Sequence, residues 1–225
     1  MQNAPLIVII LGRPGCGKGT QAKLLQEKFG LGCLGSGKLL REQVISDHNF
    51  SSAKLKAIME RGDLVPTFLV FKVWLDKVDA FKNKPDFKGV VFDGNPRKLL
   101  EARLMEDALA WYDWLEYTKV ILVDISPEES YARLTQRRMC EKCGRIIPYL
   151  GEFKELKVCD ECGGPLVKRA DDDPEVIRHR LDVFEMELQP VIDHYEESGL
   201  LIKIDGNRPI EEVNESIVRA LKWFP

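Results

Sequence analysis

The chain has 225 residues and a formal net charge of −3, enough length for one substantial core, either as a single α/β domain with insertions or as two small domains. Its 44% hydrophobic and 31% charged residues fit a globular protein, and no window approaches the roughly 18 consecutive apolar residues of a membrane span. Net acidity speaks against bulk attraction to nucleic acid or acidic lipid and points to small partners, whose phosphates clustered arginines still select.

The first apolar run, Leu6 to Leu11, reads as a buried strand. It has no basic flank and is too short for a signal core, so a cytoplasmic location is expected. It runs directly into Gly12-Arg13-Pro14-Gly15-Cys16-Gly17-Lys18-Gly19-Thr20, a GxxxxGK loop with its hydroxyl one residue later than usual, followed by a helical pattern from Lys18 to Phe29 that Gly30 closes. Strand, glycine loop and helix in this order let backbone amides curl around phosphate oxygens, and Lys18 reaches toward β- and γ-phosphates with Thr20 on the magnesium or phosphate side. A glycine-rich turn with a stray lysine is the bland alternative, and the flanking elements oppose it. The loop assigns nucleotide binding but no reaction, because kinases, ATPases and switches share it. Cys16 sits at a helix start, where thiols are acidified, although small size alone accounts for it.

Beyond the loop, a weak strand near Cys33 and Leu34 (with Cys33 expected to be buried) precedes a helical block, 36–81, with helices over Lys38 to Ser46, Ser51 to Arg61 and Thr67 to Phe81. Then come a strand at Val90 to Phe92, a helix from Leu99 to Leu115 with Trp111 and Trp114 packed on its face, a strand at Val120 to Asp124, and a helix from Glu128 to Arg138 that would put Arg133 and Arg137 on one face. After the glycine- and cysteine-bearing stretch 139–168 follow a helix from Glu175 to Glu197, a strand at Leu201 to Asp205 and a helix from Ile210 to Lys222. Prolines at 127, 174 and 209 mark helix starts. Alternating strands and helices predict a five-stranded parallel sheet in a three-layer α/β/α architecture, with the helical block and the cysteine segment as insertions. His48, His179 and His194 have no partner at metal-ligand spacing and read as structural or surface residues.

Cys140-Glu141-Lys142-Cys143 and Cys159-Asp160-Glu161-Cys162 form two CxxC pairs at zinc-ribbon spacing, each followed by glycine. Four thiolates close the shell of a tetrahedral Zn²⁺ and leave no position for an activated water, so the metal is expected to be structural, holding a segment too small for a core of its own. A nucleic-acid-binding ribbon is the alternative; Glu152, Glu155, Asp160 and Glu161 among the lysines deny it a clear basic face.

The extended loop Gly12 to Gln21, with Gly35-Ser36-Gly37-Lys38-Leu39-Leu40-Arg41, Gly62-Asp63-Leu64-Val65-Pro66-Thr67, Asp93-Gly94-Asn95-Pro96-Arg97 and the closing Arg169-Ala170-Asp171-Asp172 followed by Arg180, resembles the adenylate kinase family over nearly the whole chain. The resemblance implies a P-loop NTPase core at 1–35, 82–137 and 174–225, a monophosphate-binding insertion at 36–81 and a lid at 138–173 carrying the zinc. It implies donor-ATP contacts from Gly12, Gly15, Cys16, Gly17, Lys18, Gly19, Thr20, Arg133, Arg137, Ile146, Ile147 and Arg208. Acceptor-AMP contacts would come from Ser36, Arg41, Asp63, Leu64, Val65, Gly94, Arg97, Glu101, Arg169 and Arg180. Lys18, Arg97, Arg137, Arg169 and Arg180 would carry the chemistry, with Arg180 bridging the two substrates, and Asp93 would orient Mg²⁺ through its waters; a helix-capping Asp93 is the bland alternative. So many arginines suit a reaction that joins two anions and develops charge on phosphoryl oxygens, and an acceptor phosphate that is already ionised asks for no general base.

Departures from the family pattern fall around the acceptor. Lys38 stands where a carboxylate is usual, as an added phosphate contact or as a solvated helix-start lysine, and Asn95 and Thr67 also differ. The glutamine that pairs with adenine is here Glu101; an ionised carboxylate only accepts, which suits the donors of guanine and keeps GMP as an alternative acceptor, unless Glu101 merely faces Arg103 or solvent. Ile147 stands where a tyrosine is common. The expectation is a monomeric, cytoplasmic enzyme making two ADP from MgATP and AMP, with no nucleic-acid or membrane partner. A catalytically silent P-loop protein and the nucleic-acid-binding ribbon are the rivals.

Overall fold

A computed structural model describes residues 4–46 and 49–222; His48 lies outside them. A five-stranded sheet, all parallel, has β1 (Leu6–Leu11) at its centre, β3 (Gly89–Asp93) and then β2 (Gly32–Gly35) on one side, and β4 (Thr118–Asp124) and then β8 (Leu201–Asp205) on the other. Register places Ile7 opposite both Val90 and Thr118. Alternation along β1 divides its side chains between two cores. Ile7, Ile9 and Leu11 join Val90, Phe92, Trp74, Met105 and Val191 on one face, while Val8 and Ile10 join Leu25, Ile121, Ile217 and Val218 on the other. Both faces are covered, which is why the strands read as continuous apolar runs.

The second face is closed by α1 (Lys18–Phe29) and α8 (Ile210–Lys222), and the first by α4 (Thr67–Lys82), α5 (Leu99–Trp111) and α7 (Pro174–Glu197). Before α4 come α2 (Ser36–Ser46) and α3 (Phe50–Glu60), the latter capped by a reciprocal pair in which Asn49 Oδ1 accepts from Ser52 N and Ser52 Oγ accepts from Asn49 N. After β4, α6 (Pro127–Gln136) starts on Ser126, whose Oγ accepts from Glu129 N. A small antiparallel sheet follows, in the order β6 (Ile146–Ile147), β5 (Arg138–Cys140), β7 (Leu166–Val167).

Several boundaries differ from the sequence expectation. The helix expected to run to Leu115 ends at Trp111, because Asp113 adopts a left-handed φ of 60° and the Trp114 amide turns back to the Leu109 carbonyl at 2.8 Å. Trp111 is consequently 82% exposed instead of packed, whereas Trp114, now off the helix, is fully buried against Phe87. α2 opens at Ser36, two residues early. The helix expected to include Arg137 ends at Gln136, so Arg137, extended with ψ 143°, shares no helix face with Arg133. Cys33 is half-buried.

The loops after β1, β2, β3 and β4 all leave from the carboxyl ends of their strands. The connection from β1 runs toward β2 and that from β4 toward β8, which opens a crevice between them, where ligands bind in open α/β sheets.

Candidate active site

The glycine loop sits over that crevice. Gly12 has φ 146°, and a β-carbon there would come within 2.4 Å of the Val123 carbonyl and 2.6 Å of Cys16 Sγ, so only glycine lets β1 turn into the loop. α1 starts behind Gly17 with no side-chain cap and no acidic residue in its first turn, leaving its orphan amides and positive end for an anion. The Lys18 ammonium donates to the Arg13 carbonyl at 3.3 Å. Burial lowers the pKa of Lys18, Cys16 and Asp93 oppose that, and Arg97 and Arg180 add to it. Cys16 is buried and its thiol is pushed up by desolvation, with Lys18 opposing, so it is a filler and not an acidified thiol.

Around the lysine the arginines converge. Burial pushes Arg41 down to about 10, assisted by Arg169, Arg97 and Arg137. Arg169 and Arg180 are lowered by burial and then by Arg137, and Arg97 also acts on Arg180. Two carboxylates hold the cluster together. Asp172, fully buried, accepts from Arg137 Nε at 2.8 Å and from Arg180 Nη1 at 3.1 Å, while Asp171 pairs with Arg169. Burial pushes the Asp171 carboxyl up, but Arg169, Arg180, Arg137 and Arg41 outweigh it and hold it below its ordinary range. Arg133 lies one step aside, buried, with Nε on Glu129 and Nη2 on the Gly206 carbonyl at 3.0 Å; its Nη1 has no partner among the described residues. Arg208 is exposed and pairs with Asp205 at 3.3 Å. Lys18, Arg41, Arg97, Arg137, Arg169 and Arg180 outnumber the carboxylates Asp93, Asp171 and Asp172 that act on them, an excess of positive charge that a polyphosphate would offset.

Asp93 ends β3 and caps no helix, since α5 begins on Lys98. Its Oδ1 is buried without a hydrogen-bond partner among the described residues. Burial pushes its carboxyl up against the pull of Lys18, Arg97 and Arg41. An unpartnered buried carboxylate oxygen beside a phosphate loop fits the hydration shell of a divalent cation.

On the other side of the cleft, the Gly94 carbonyl accepts from Ser36 Oγ at 3.2 Å and from Arg97 Nε at 2.8 Å, which aims the exposed Arg97 guanidinium. Glu101 faces neither Arg103 nor solvent. It is 3% exposed, its Oε2 accepts from the Arg97 amide at 2.8 Å, and burial raises its pKa, with Arg97 and Thr67 opposing. Val65 is buried and Leu64 half-buried. Asp63 pairs with Arg61 at 2.9 Å and with His179 at 2.7 Å, and the adjoining Gly62, φ 80°, lies so close to α7 that a β-carbon would meet Arg180 Cγ at 2.7 Å. Lys38 points to solvent and pairs with Glu42 at 3.9 Å. His194 pairs with Glu106.

The four cysteine sulfurs lie within 4.8 Å of one another, with Cys140 and Cys162 at 3.5 Å and Cys143 and Cys159 at 3.7 Å. The edge of a tetrahedron with Zn–S bonds of about 2.3 Å is roughly 3.8 Å, so the set fits Zn²⁺. The Cys143 amide donates to Cys140 Sγ at 3.5 Å, which orients that sulfur within the set. The ribbon is tied to the glycine-loop helix through Glu161, which pairs with both Lys23 on α1 and Arg145. Ile147 is buried within this segment and Ile146 half-buried.

Sequence reasoning missed Arg13, visible in the loop motif but with no sign of where its side chain goes, and the Gly206 carbonyl on Arg133, a backbone group that no side-chain pattern announces.

A family model described as adenylate kinase matches residues 10–200. Among curated proteins, the adenylate kinase of Thermotoga petrophila is 38% identical over 217 residues, 96% of this chain and 97% of that protein. That of Thermotoga maritima is 37% identical over the same span, and that of Chlamydia trachomatis serovar D is 38% identical over 231 residues, 98% and 92% of the two chains.

Proposed function

The chain belongs to the adenylate kinase family, and from that premise we propose reversible transfer of the γ-phosphoryl group from MgATP to AMP, giving two ADP. The observation that carries the reading is the convergence of Lys18, Arg41, Arg97, Arg137, Arg169 and Arg180 on one cleft beside Asp93. Two substrates that together bring four phosphoryl groups repel one another, and fixed cations offset this most where charge gathers in the transition state.

In this reading Gly12, Gly15, Gly17 and Gly19 with Cys16 and Thr20 cradle the donor phosphates, and Lys18, Arg133, Arg137 and Arg169 hold the donor and transferring groups. Ile146, Ile147 and Arg208 border the donor nucleoside. Arg41 and Arg97 clamp the acceptor phosphate, Ser36, Asp63, Leu64, Val65 and Gly94 line its side, and Arg180 bridges the two. Mg²⁺ arrives with ATP and neutralises phosphate charge, with Asp93 as the side chain that would orient its waters. Zn²⁺ on Cys140, Cys143, Cys159 and Cys162 is structural. Block 36–81 closes over the acceptor and segment 138–173 over the donor, which excludes water and suppresses hydrolysis. In this reading the enzyme works as a monomer in the cytoplasm, a reducing compartment in which zinc-binding thiols persist.

Glu101 bears on the acceptor base. A buried carboxyl with a raised pKa keeps its proton to higher pH than an exposed one, and the neutral acid offers one donor and one acceptor, the pair an amide presents to adenine. Ionised, it would favour GMP. The test is ADP formation from MgATP with AMP, GMP, CMP and UMP offered separately. Turnover with AMP is expected, and Arg97→Ala should raise the KM for AMP by about tenfold or more, the loss of one charge-assisted contact. Turnover with none of the four would overturn the reading.

A further inference from the structure

Arg13 stands in the glycine loop, yet its guanidinium turns away from the cleft. Nε and Nη2 donate to Glu185 Oε1 at 3.0 and 2.6 Å, and Nη1 donates to Asp124 Oδ1 and to the Ile125 carbonyl, each at 3.0 Å. The planar group lies over the Phe184 ring, 4.9 Å from its centroid, and the side chain is only 16% exposed. One side chain thus joins the loop to the end of β4 and to the middle of α7. The backbone of the same residue faces the chemistry, since the Arg13 carbonyl is the group that accepts from the Lys18 ammonium. Glu185 and Phe184 lie little more than one helical turn from Arg180, on the same rigid helix.

We propose that Arg13 is a positioning residue for phosphoryl transfer, locking the peptide that steers Lys18 to the helix that carries Arg180. Two cations that act on one transferring group must hold their separation to within a fraction of an ångström, and Arg13 is the loop side chain that takes its reference from α7, whereas the Pro14 carbonyl accepts from Ser130 on α6. Lysine would not replace Arg13, because a point ammonium neither forks onto Glu185 and Asp124 together nor stacks on Phe184.

The proposal rests on the phosphotransferase reading, and wild-type turnover in the same assay separates the two: an inactive wild type refutes that reading, whereas the variants test this one. The experiment compares kcat and the KM of each substrate for wild type, Arg13→Ala, Arg13→Lys, Arg13→Glu, Glu185→Ala and the charge-swapped pair Arg13→Glu with Glu185→Arg. Glu185 is half-exposed, so its truncation spares the fold and keeps the test available should Arg13→Ala fold poorly. Expected are a fall in kcat of about tenfold in Arg13→Ala and a smaller fall in Glu185→Ala, with the KM for AMP within about twofold of wild type, and poor rescue by lysine. Partial recovery is expected in the swapped pair relative to Arg13→Glu alone. An unchanged kcat in both Arg13→Ala and Glu185→Ala, or a loss expressed only as lower thermal stability with kcat per folded molecule intact, would overturn it.

Discussion

At the scale of single residues, the cleft is governed by how burial and neighbouring charge set protonation. Glu101 has its pKa raised by burial. If the neutral acid is what pairs with adenine, the KM for AMP rises with pH as that proton is lost, and Glu101→Gln, which cannot ionise, removes the dependence. KM measured across pH for both proteins checks this, and parallel profiles would refute it. Asp171 has the opposite sign, because the surrounding guanidiniums hold its folded pKa below the ordinary value. Its contribution to stability is therefore present above the unfolded pKa, near about 4, and is lost as pH falls through the folded value. Asp171→Asn should cost about 1–3 kcal/mol at neutral pH, the range for a hydrogen bond to a charged group, and the gap to wild type should close in acid. Denaturant unfolding at several pH values reads it. For Arg180, which pairs with both carboxylates of the cluster, replacement by alanine should lower kcat by about 10²–10³-fold, as for loss of one preorganised donor to a transition state.

At the scale of elements, what was legible depended on whether a local signal existed. The strands were readable because burial on both faces makes them continuous apolar runs, and α6 and α7 because a capping side chain and a proline mark each start. The end of α5 was not, since the left-handed stop falls on Asp113, a residue with no glycine-like signature, and the apolar pattern continues through Trp114 and Leu115. Strands of two and three residues in the cysteine segment carry no alternation to detect; only the thiol spacing foretold that the segment is ordered. That segment has so little core that its order should depend on the metal. Removing Zn²⁺ with a chelator, or Cys143→Ser, should expose residues 138–168 to protease while the far-UV spectrum of the remaining helices persists. Equal protease resistance with and without metal would contradict a structural zinc.

At the scale of the whole molecule, the sequence order of the motifs places each charged group on a different element, and the fold then gathers them at the carboxyl edge of one sheet. Which charged residues to seek at that edge was visible in the motifs. How they are held was not: the Asp172 bridge to Arg137, the Ser36 hydroxyl on the Gly94 carbonyl and the Arg13 anchor on α7 all join residues far apart in the chain. Such contacts follow from topology and not from any local pattern. On the proposed reading the arrangement as a whole serves transfer between two nucleotides with water excluded, and product stoichiometry tests that most directly. With MgATP and AMP supplied together, two ADP should form for each ATP consumed, with no release of inorganic phosphate and little ATP loss when AMP is withheld. Release of one phosphate per ATP at a rate indifferent to AMP would contradict it.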